Sequence, residues 1–291
     1  MIYDVRQTTS YVYGSKVTYA RHVLRLMPID RTEQRVHAAV LDIDPEPVKR
    51  REGQDFFGNH MTWIEIDDPH ESLIIKLAAR LTAVEPVREK PASPAWELVR
   101  DQAFGFADVG RRSPVHFLFP SRQVSLDPEI RDYARQSFTP DRPVLDGAVD
   151  LMQRIKADFT YEIGATTVST MPSMSFALRR GVCQDFAHIM ISGLRGLGLP
   201  AAYVSGYLRT MQRGDAPRLE GADAMHAWVQ VWCGAEAGWF GLDPTNSIFA
   251  GDDHIVLAIG RDYADVAPID GVVFASGGQK LDVAVSVIPV G

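Results

Sequence analysis

The sequence predicts an α+β protein: an N-terminal antiparallel β-sandwich or barrel, then helices packed on a second antiparallel sheet. Three observations carry this. Apolar residues alternate with a period of two over the first eighty or so positions. From about residue 143 they recur at three- and four-residue steps, and beyond residue 200 the period of two returns. At roughly 150 residues per domain, 291 residues leave room for two domains and a proper core.

Taken in order, Tyr11 with Tyr13, Val17 with Tyr19, and Leu24 with Leu26 alternate as strands do. So do Val36, Ala38 and Val40, Met61 with Trp63, and Leu73, Ile75 and Leu77. Gly14-Ser15, Pro28, Pro45 with Pro47, Gly58-Asn59 and Asp67-Asp68-Pro69 read as the turns between them. Residues 85–95 hold Pro86, Pro91 and Pro94 and no apolar period. They are predicted to be a linker, dividing a β domain (1–84) from a second domain (96–291). There, Leu145, Val149, Met152, Ile155 and Phe159 form one stripe of a helix that begins near Pro143. A second helix is expected from Cys183 to Leu197, stopped by Gly198 and Pro200. Strands are expected over 201–208, 226–233, 239–243 and 255–259, with a last one through Leu281, Val283, Val285 and Val287. The polar stretch 210–224 reads as a mobile loop.

Composition excludes several classes of function. Lys plus Arg is 30 against 37 for Asp plus Glu, a net charge of -7, so a basic face for nucleic acid is not expected. No run of the roughly 18 apolar residues that a membrane span needs occurs. The first residues lack the basic flank and apolar core of a signal peptide. Two cysteines, Cys183 and Cys233, cannot staple a secreted scaffold and suit a reducing compartment, so a cytoplasmic protein is expected.

Cys183 falls in the first turn of the second predicted helix. A thiol there faces free backbone N–H groups and the positive end of the helix dipole, which favours the thiolate. Gly181 just before it allows a tight turn and leaves room for a substrate. A lone cysteine on a helix is more often a packed hydrophobe, and two downstream residues shift that balance. His226 opens one strand and Asp243 closes the next, across a five-residue connection, 234–238, that suits a hairpin. Pairing Trp232 with Trp239 would set Asp243 opposite Trp228 and diagonal to His226 on the same face. An imidazole–carboxylate bond there would fix the ring and its tautomer. Separately, His226 reads as a strand-end histidine bonded for stability and Asp243 as the start of an Asp-Pro turn. Cys233 lies at an odd spacing from His226 and points to the other face, leaving Cys183 as the nucleophile able to share a face with His226. Cys183 and His188 lie on different sides of the helix and make a poor metal pair. Asp185 and His188 read as structural, and no phosphate-cradling glycine motif occurs. No cofactor or metal is expected.

Three blocks now carry a resemblance: Arg180-Gly181-Val182-Cys183-Gln184-Asp185-Phe186-Ala187-His188, Met225-His226-Ala227-Trp228-Val229, and Gly238-Trp239-Phe240-Gly241-Leu242-Asp243-Pro244-Thr245-Asn246. With the stretch from Leu199 to Leu208 and the tyrosine-rich N-terminus, they resemble the transglutaminase-like superfamily of papain-type cysteine enzymes. The likeness is to the bacterial branch with an N-terminal β domain, and it spans nearly the whole chain. It implies a papain-like core with Cys183 as nucleophile, His226 as general base and Asp243 as orienting acid. The implied reaction cleaves a peptide or other amide through a thioester, the oxyanion held by the Cys183 N–H and a side chain, for which Tyr161 is the candidate. The β domain would shape one wall of the cleft or recruit substrate. Gln184 stands where cross-linking transglutaminases of animals have tryptophan, and no calcium loop is recognisable. Both departures favour hydrolysis. The alternatives are acyl transfer to an amine and a non-catalytic scaffold that retains the fold.

Overall fold

Alternation in the N-terminal region produces six strands: β1 (Ile2–Val17), β2 (Tyr19–Leu24), β3 (Gln34–Asp44), β4 (Lys49–Gln54), β5 (His60–Ile66) and β6 (His70–Ala83). The structure, a computed structural model, describes residues 1–84, 92–209 and 225–290. β4 reads Lys-Arg-Arg-Glu-Gly-Gln and has no apolar residue, so no periodicity could reveal it. It is an edge strand paired with β5, where charged side chains face water at no cost and discourage edge pairing. Gly14 and Ser15, expected to turn, instead continue β1. The pairing with β6 slips between Val12 and Val17, and the Gly14 N–H donates to the Gly278 carbonyl at 2.8 Å.

The rest of the chain runs α1 (Trp96–Phe104), α2 (Pro128–Arg135), α3 (Val144–Asp158), β7 (Thr160–Tyr161), α4 (Pro172–Leu178), β8 (Arg180–Gly181) and α5 (Cys183–Gly196). There follow β9 (Ala201–Leu208), β10 (Met225–Trp232), β11 (Trp239–Asp243), β12 (Ile248–Phe249), β13 (His254–Gly260), α6 (Tyr263–Val266), β14 (Ile269–Phe274) and β15 (Gln279–Pro289). The two long helices begin where the sequence places them, at Val144 and Cys183, and Gly198 adopts a left-handed φ of 80° just past α5. Helices α1, α2 and α4, with nine, eight and seven residues, are too short for a periodic stripe and were not expected. α2 is nevertheless locally encoded: Asp127 caps the Glu129 and Ile130 N–H groups and Pro128 opens the first turn.

The α+β class is as predicted. Strands β12-β11-β10-β9-β13 form one antiparallel sheet, and α5 packs on it. Ala227, Val229 and Val231 of β10 share a core with Phe186, Ala187, Met190 and Leu194 of α5. The last two strands do not extend this sheet, as the placing of 96–291 in one domain implied. β14 pairs with β2, and β15 pairs with β1 from Tyr3↔Pro289 to Tyr13↔Gln279. The N-terminal sandwich therefore consists of β15-β1-β6-β3 and β14-β2-β5-β4. The alternation of β15 specifies a strand and a buried face but not which sheet receives it. Of the expected linker, 85–91 lie outside the described residues, and Ser93 and Pro94 bond the Leu145 and Val144 N–H groups at the start of α3.

Two buried amides join the sandwich to the edge of β13. Gln34 donates to the Val256 carbonyl and accepts from its N–H, both at 2.8 Å, and Asn59 does the same with Ile259 at 2.8 Å. Each side chain replaces a missing neighbouring strand, so the edge is satisfied and the two halves are fixed in register. No helix among the described residues is long and apolar enough to cross a membrane.

Candidate active site

The first turn of α5 is built by Asp185. Its carboxylate folds back to accept the Val182 N–H at 2.9 Å and the Thr166 hydroxyl at 2.6 Å, satisfying one free donor of the helix start. Burial raises the Asp185 pKa. A Cβ on Gly181 would come within 2.6 Å of that carboxylate. The space beside Gly181, expected to admit substrate, is thus filled by Asp185. The Gln184 amide is tied to the Val168 carbonyl at 3.0 Å. Cys183, half-buried, is left at the open end of the turn, facing a cavity of about 240 Å³.

His226 and Asp243 come from neighbouring strands. The register is Trp232↔Trp239 through Val229↔Leu242, the one assumed from the sequence, and it puts Asp243 diagonal to His226. His226 Nε2 meets Asp243 Oδ2 at 2.9 Å, and both residues are buried. Burial alone would lower the His226 pKa; the Asp243 carboxylate overrides it and holds the imidazole well above its ordinary value. Asp243, which burial alone would raise, is held well below the carboxylate range by His226 and by a second histidine, His254. The Trp228 indole stacks on the His226 ring, with centroids 6.2 Å apart. It lies over Gly206, where a Cβ would come within 2.6 Å of the indole.

Cys183 and His226 do not meet across one face of the sheet, as parity suggested. The face under α5 carries Tyr203, Ala227 and Val229, whereas Trp228 clusters with Val204 and Val256 on the other. They meet at the start of β10, where His226 is the second residue and Met225, His226, Val182 and Cys183 open onto one cavity. With Nε2 committed to Asp243, Nδ1 is the ring nitrogen left to serve the thiol. It makes no hydrogen bond of ordinary geometry, yet Cys183 is close enough to help raise the imidazole pKa. The opposite wall comes from the sandwich: Thr9, Tyr11, Leu281 and Val283. No lysine, arginine, aspartate or glutamate lines the cavity among the described residues.

The remaining sequence candidates lie elsewhere. Cys233 is fully buried under α5, and burial pushes its thiol up to about 12. His188 is buried and pushed down to about 4, its Nε2 accepting the Tyr263 N–H at 3.2 Å, which is a structural role. Tyr161 does not line the cavity. It sits in β7, paired with Gly181, and packs edge-on against Phe186 at 6.4 Å at the margin of the core. The expected loop 210–224 lies outside the described residues.

Sequence reasoning missed His254. Its Nδ1 accepts the Gly251 N–H at 3.3 Å, which leaves Nε2–H to donate to Asp243 Oδ2 at 3.2 Å. That oxygen also accepts from Asn246 Nδ2 at 2.8 Å, while Oδ1 accepts the Thr245 and Asn246 N–H groups at 2.9 and 3.2 Å. His226, Asp243 and His254 are close enough to hold a metal ion, but this carboxylate is already saturated with hydrogen-bond donors. His254→Ala is expected to cost about 1–3 kcal/mol of stability, read by denaturant unfolding, because it strips a buried carboxylate of a donor.

Fold and site together define the class: a papain-like α+β core with a thiol and an imidazole on one cleft and a buried carboxylate behind the imidazole. Comparison with known proteins places the chain within it. A family profile for the bacterial transglutaminase-like N-terminal region matches residues 3–82, and one for the transglutaminase-like superfamily matches residues 131–244. The chain belongs to the transglutaminase-like superfamily. An uncharacterized protein of Mycobacterium tuberculosis (strain ATCC 25618 / H37Rv) is 37% identical, the match covering 99% of this chain and 92% of the relative. A protein-glutamine gamma-glutamyltransferase of Pseudomonas aeruginosa is 33% identical over 103 residues, 34% of this chain and 15% of that protein. A crystal structure from Cytophaga hutchinsonii, provisionally described as a cysteine protease, has the same fold. It gives a TM-score of 0.75 at 20% identity, covering 100% of this chain and 92% of that one.

Proposed function

We propose that the protein is a cysteine hydrolase that cleaves an amide bond through a thioester, with Cys183 as nucleophile, His226 as general acid and base, and Asp243 as orienting acid. The observation that carries this is the 2.9 Å His226–Asp243 bond, buried, with the other imidazole nitrogen free beside Cys183. The Cys183 sulfur attacks the carbonyl carbon, a C–S bond forms, and the π pair moves to oxygen. As the intermediate collapses, His226 Nδ1 gives its proton to the departing amine. Water then attacks the thioester, returns a proton to His226, and the C–S bond breaks to release the acid. The described lining holds no lysine, arginine, aspartate or glutamate, which favours a neutral group beside the scissile amide. The free thiols suit the reducing cytoplasm.

The local likeness to a gamma-glutamyltransferase supports a second reading, in which an amine resolves the thioester. Product masses with and without added amine separate the two. The decisive test is the pH dependence of Cys183 alkylation by iodoacetamide, read by peptide mass, in the wild type and in His226→Ala. Labelling that stays fast well below the free-thiol pKa of about 8.5, and slows without His226, is the expected result. Labelling that follows an ordinary thiol overturns the proposal.

A further inference from the structure

An acyl-transfer site needs a donor for the oxyanion besides the nucleophile's own N–H. The Cys183 N–H, in the first turn of α5, has no carbonyl within its helix to serve. The expected second donor, Tyr161, packs against the core and does not line the cavity, and the Gln184 amide is held by Val168. Tyr203 remains. It lies on β9, on the face under α5, opposite Val229. Its ring is wedged against His188 at 5.0 Å and edge-on to Tyr263 at 6.4 Å. The residue is only 2% exposed, yet it lines the cavity with Cys183, and its hydroxyl makes no hydrogen bond to any described residue.

A buried tyrosine hydroxyl ordinarily has a partner. Tyr203 has none among the described residues and lines the reactive cleft, which points to a ligand group that arrives only with substrate. Three tyrosines line this cavity: Tyr11, Tyr203 and Tyr263. Among them Tyr203 alone is acted on by the Cys183 charge; Tyr11 is influenced by neighbouring tyrosines and Tyr263 by Asp270. Burial, and then the Cys183 charge, push the Tyr203 phenol well above its ordinary pKa, so it keeps the proton it would donate.

We propose that the Tyr203 hydroxyl is the side-chain donor to the oxyanion, completing with the Cys183 N–H the hole that Tyr161 does not supply. This rests on Cys183 being acylated as proposed above. As the C–S bond forms and the π pair moves to the carbonyl oxygen, that oxygen accepts hydrogen bonds from both donors. When the intermediate collapses, the C=O bond re-forms, the leaving group departs, and Tyr203 retains its proton throughout.

The test compares two reactions of one thiol. Acylation by p-nitrophenyl acetate passes through an oxyanion, whereas alkylation by iodoacetamide is a direct displacement at carbon and does not. Tyr203→Phe keeps the ring packing and is expected to slow the p-nitrophenol burst by about 10²-fold. Cys183 alkylation is expected to stay within about twofold of wild type, the contrast that a folding defect would not give. An unchanged burst overturns the proposal. Equal slowing of both reactions overturns it too, because the hydroxyl would then act on the thiolate or on folding. A wild type with neither a burst nor rapid alkylation overturns the parent reading instead, and this one with it.

Discussion

Cys183→Ala is expected to abolish acyl-enzyme formation while leaving the fold intact. The first burst of p-nitrophenol, and the matching acetyl adduct in the intact mass, should both disappear, and turnover of any amide substrate should fall by at least about 10⁴-fold. The physical grounds lie in how little the thiol contributes to packing. Cys183 is half-buried at the open end of α5, and the structure of that turn is held by Asp185, Val182 and Thr166. Alanine is the best helix former, so the first turn should lose nothing. The melting temperature of the variant is accordingly expected to match the wild type. Retained burst amplitude would move the nucleophile elsewhere, and the buried, raised Cys233 thiol is no substitute.

Asp243→Asn is expected to give the second largest loss, about 10³–10⁴-fold in acylation rate at neutral pH. The neutral amide can still fill the space, but it no longer opposes the burial that lowers the His226 pKa. The imidazole then loses its proton at neutral pH, and with it the charge that stabilises the thiolate. Alkylation of Cys183 near pH 6–7 should slow in parallel, which a merely structural role for Asp243 would not require. The same pair governs stability. His226 is raised on folding, so its contribution is full below its unfolded pKa of about 6.5 and is lost as pH rises through its folded value. Asp243 is lowered, so its contribution is full above about 3.9 and is lost as pH falls through its folded value. Wild-type stability should therefore peak between about pH 4 and 6.5, and the dependence should flatten in Asp243→Asn.

Much of the site was legible in the chain because it is local. The helix start at Cys183, the structural role of Asp185 and the two-strand register that joins His226 to Asp243 all depend on residues close in sequence. A six-residue connection leaves few ways to pair β10 with β11, and the tryptophans that flank it mark the register. Tyr161 misled because two strands of two residues each, β7 and β8, carry no pattern that reveals which way a side chain turns.

The sequence by itself determined the α+β class, the two long helices, the alternating strands, and the pairing of imidazole with carboxylate. Each follows from a period, a cap or a short turn, which are properties of neighbouring residues. Only the tertiary structure decided that β14 and β15 return to the N-terminal sandwich, so that Leu281 and Val283 wall the cleft facing Cys183. It also decided that His254, two strands beyond β10 in the order β11-β10-β9-β13, reaches the Asp243 carboxylate, and that Tyr203 opens into the cavity. The reason is the same in each case. Alternation fixes which face of a strand is buried, but the choice of neighbouring strand depends on how distant surfaces pack, and no short window of sequence records that.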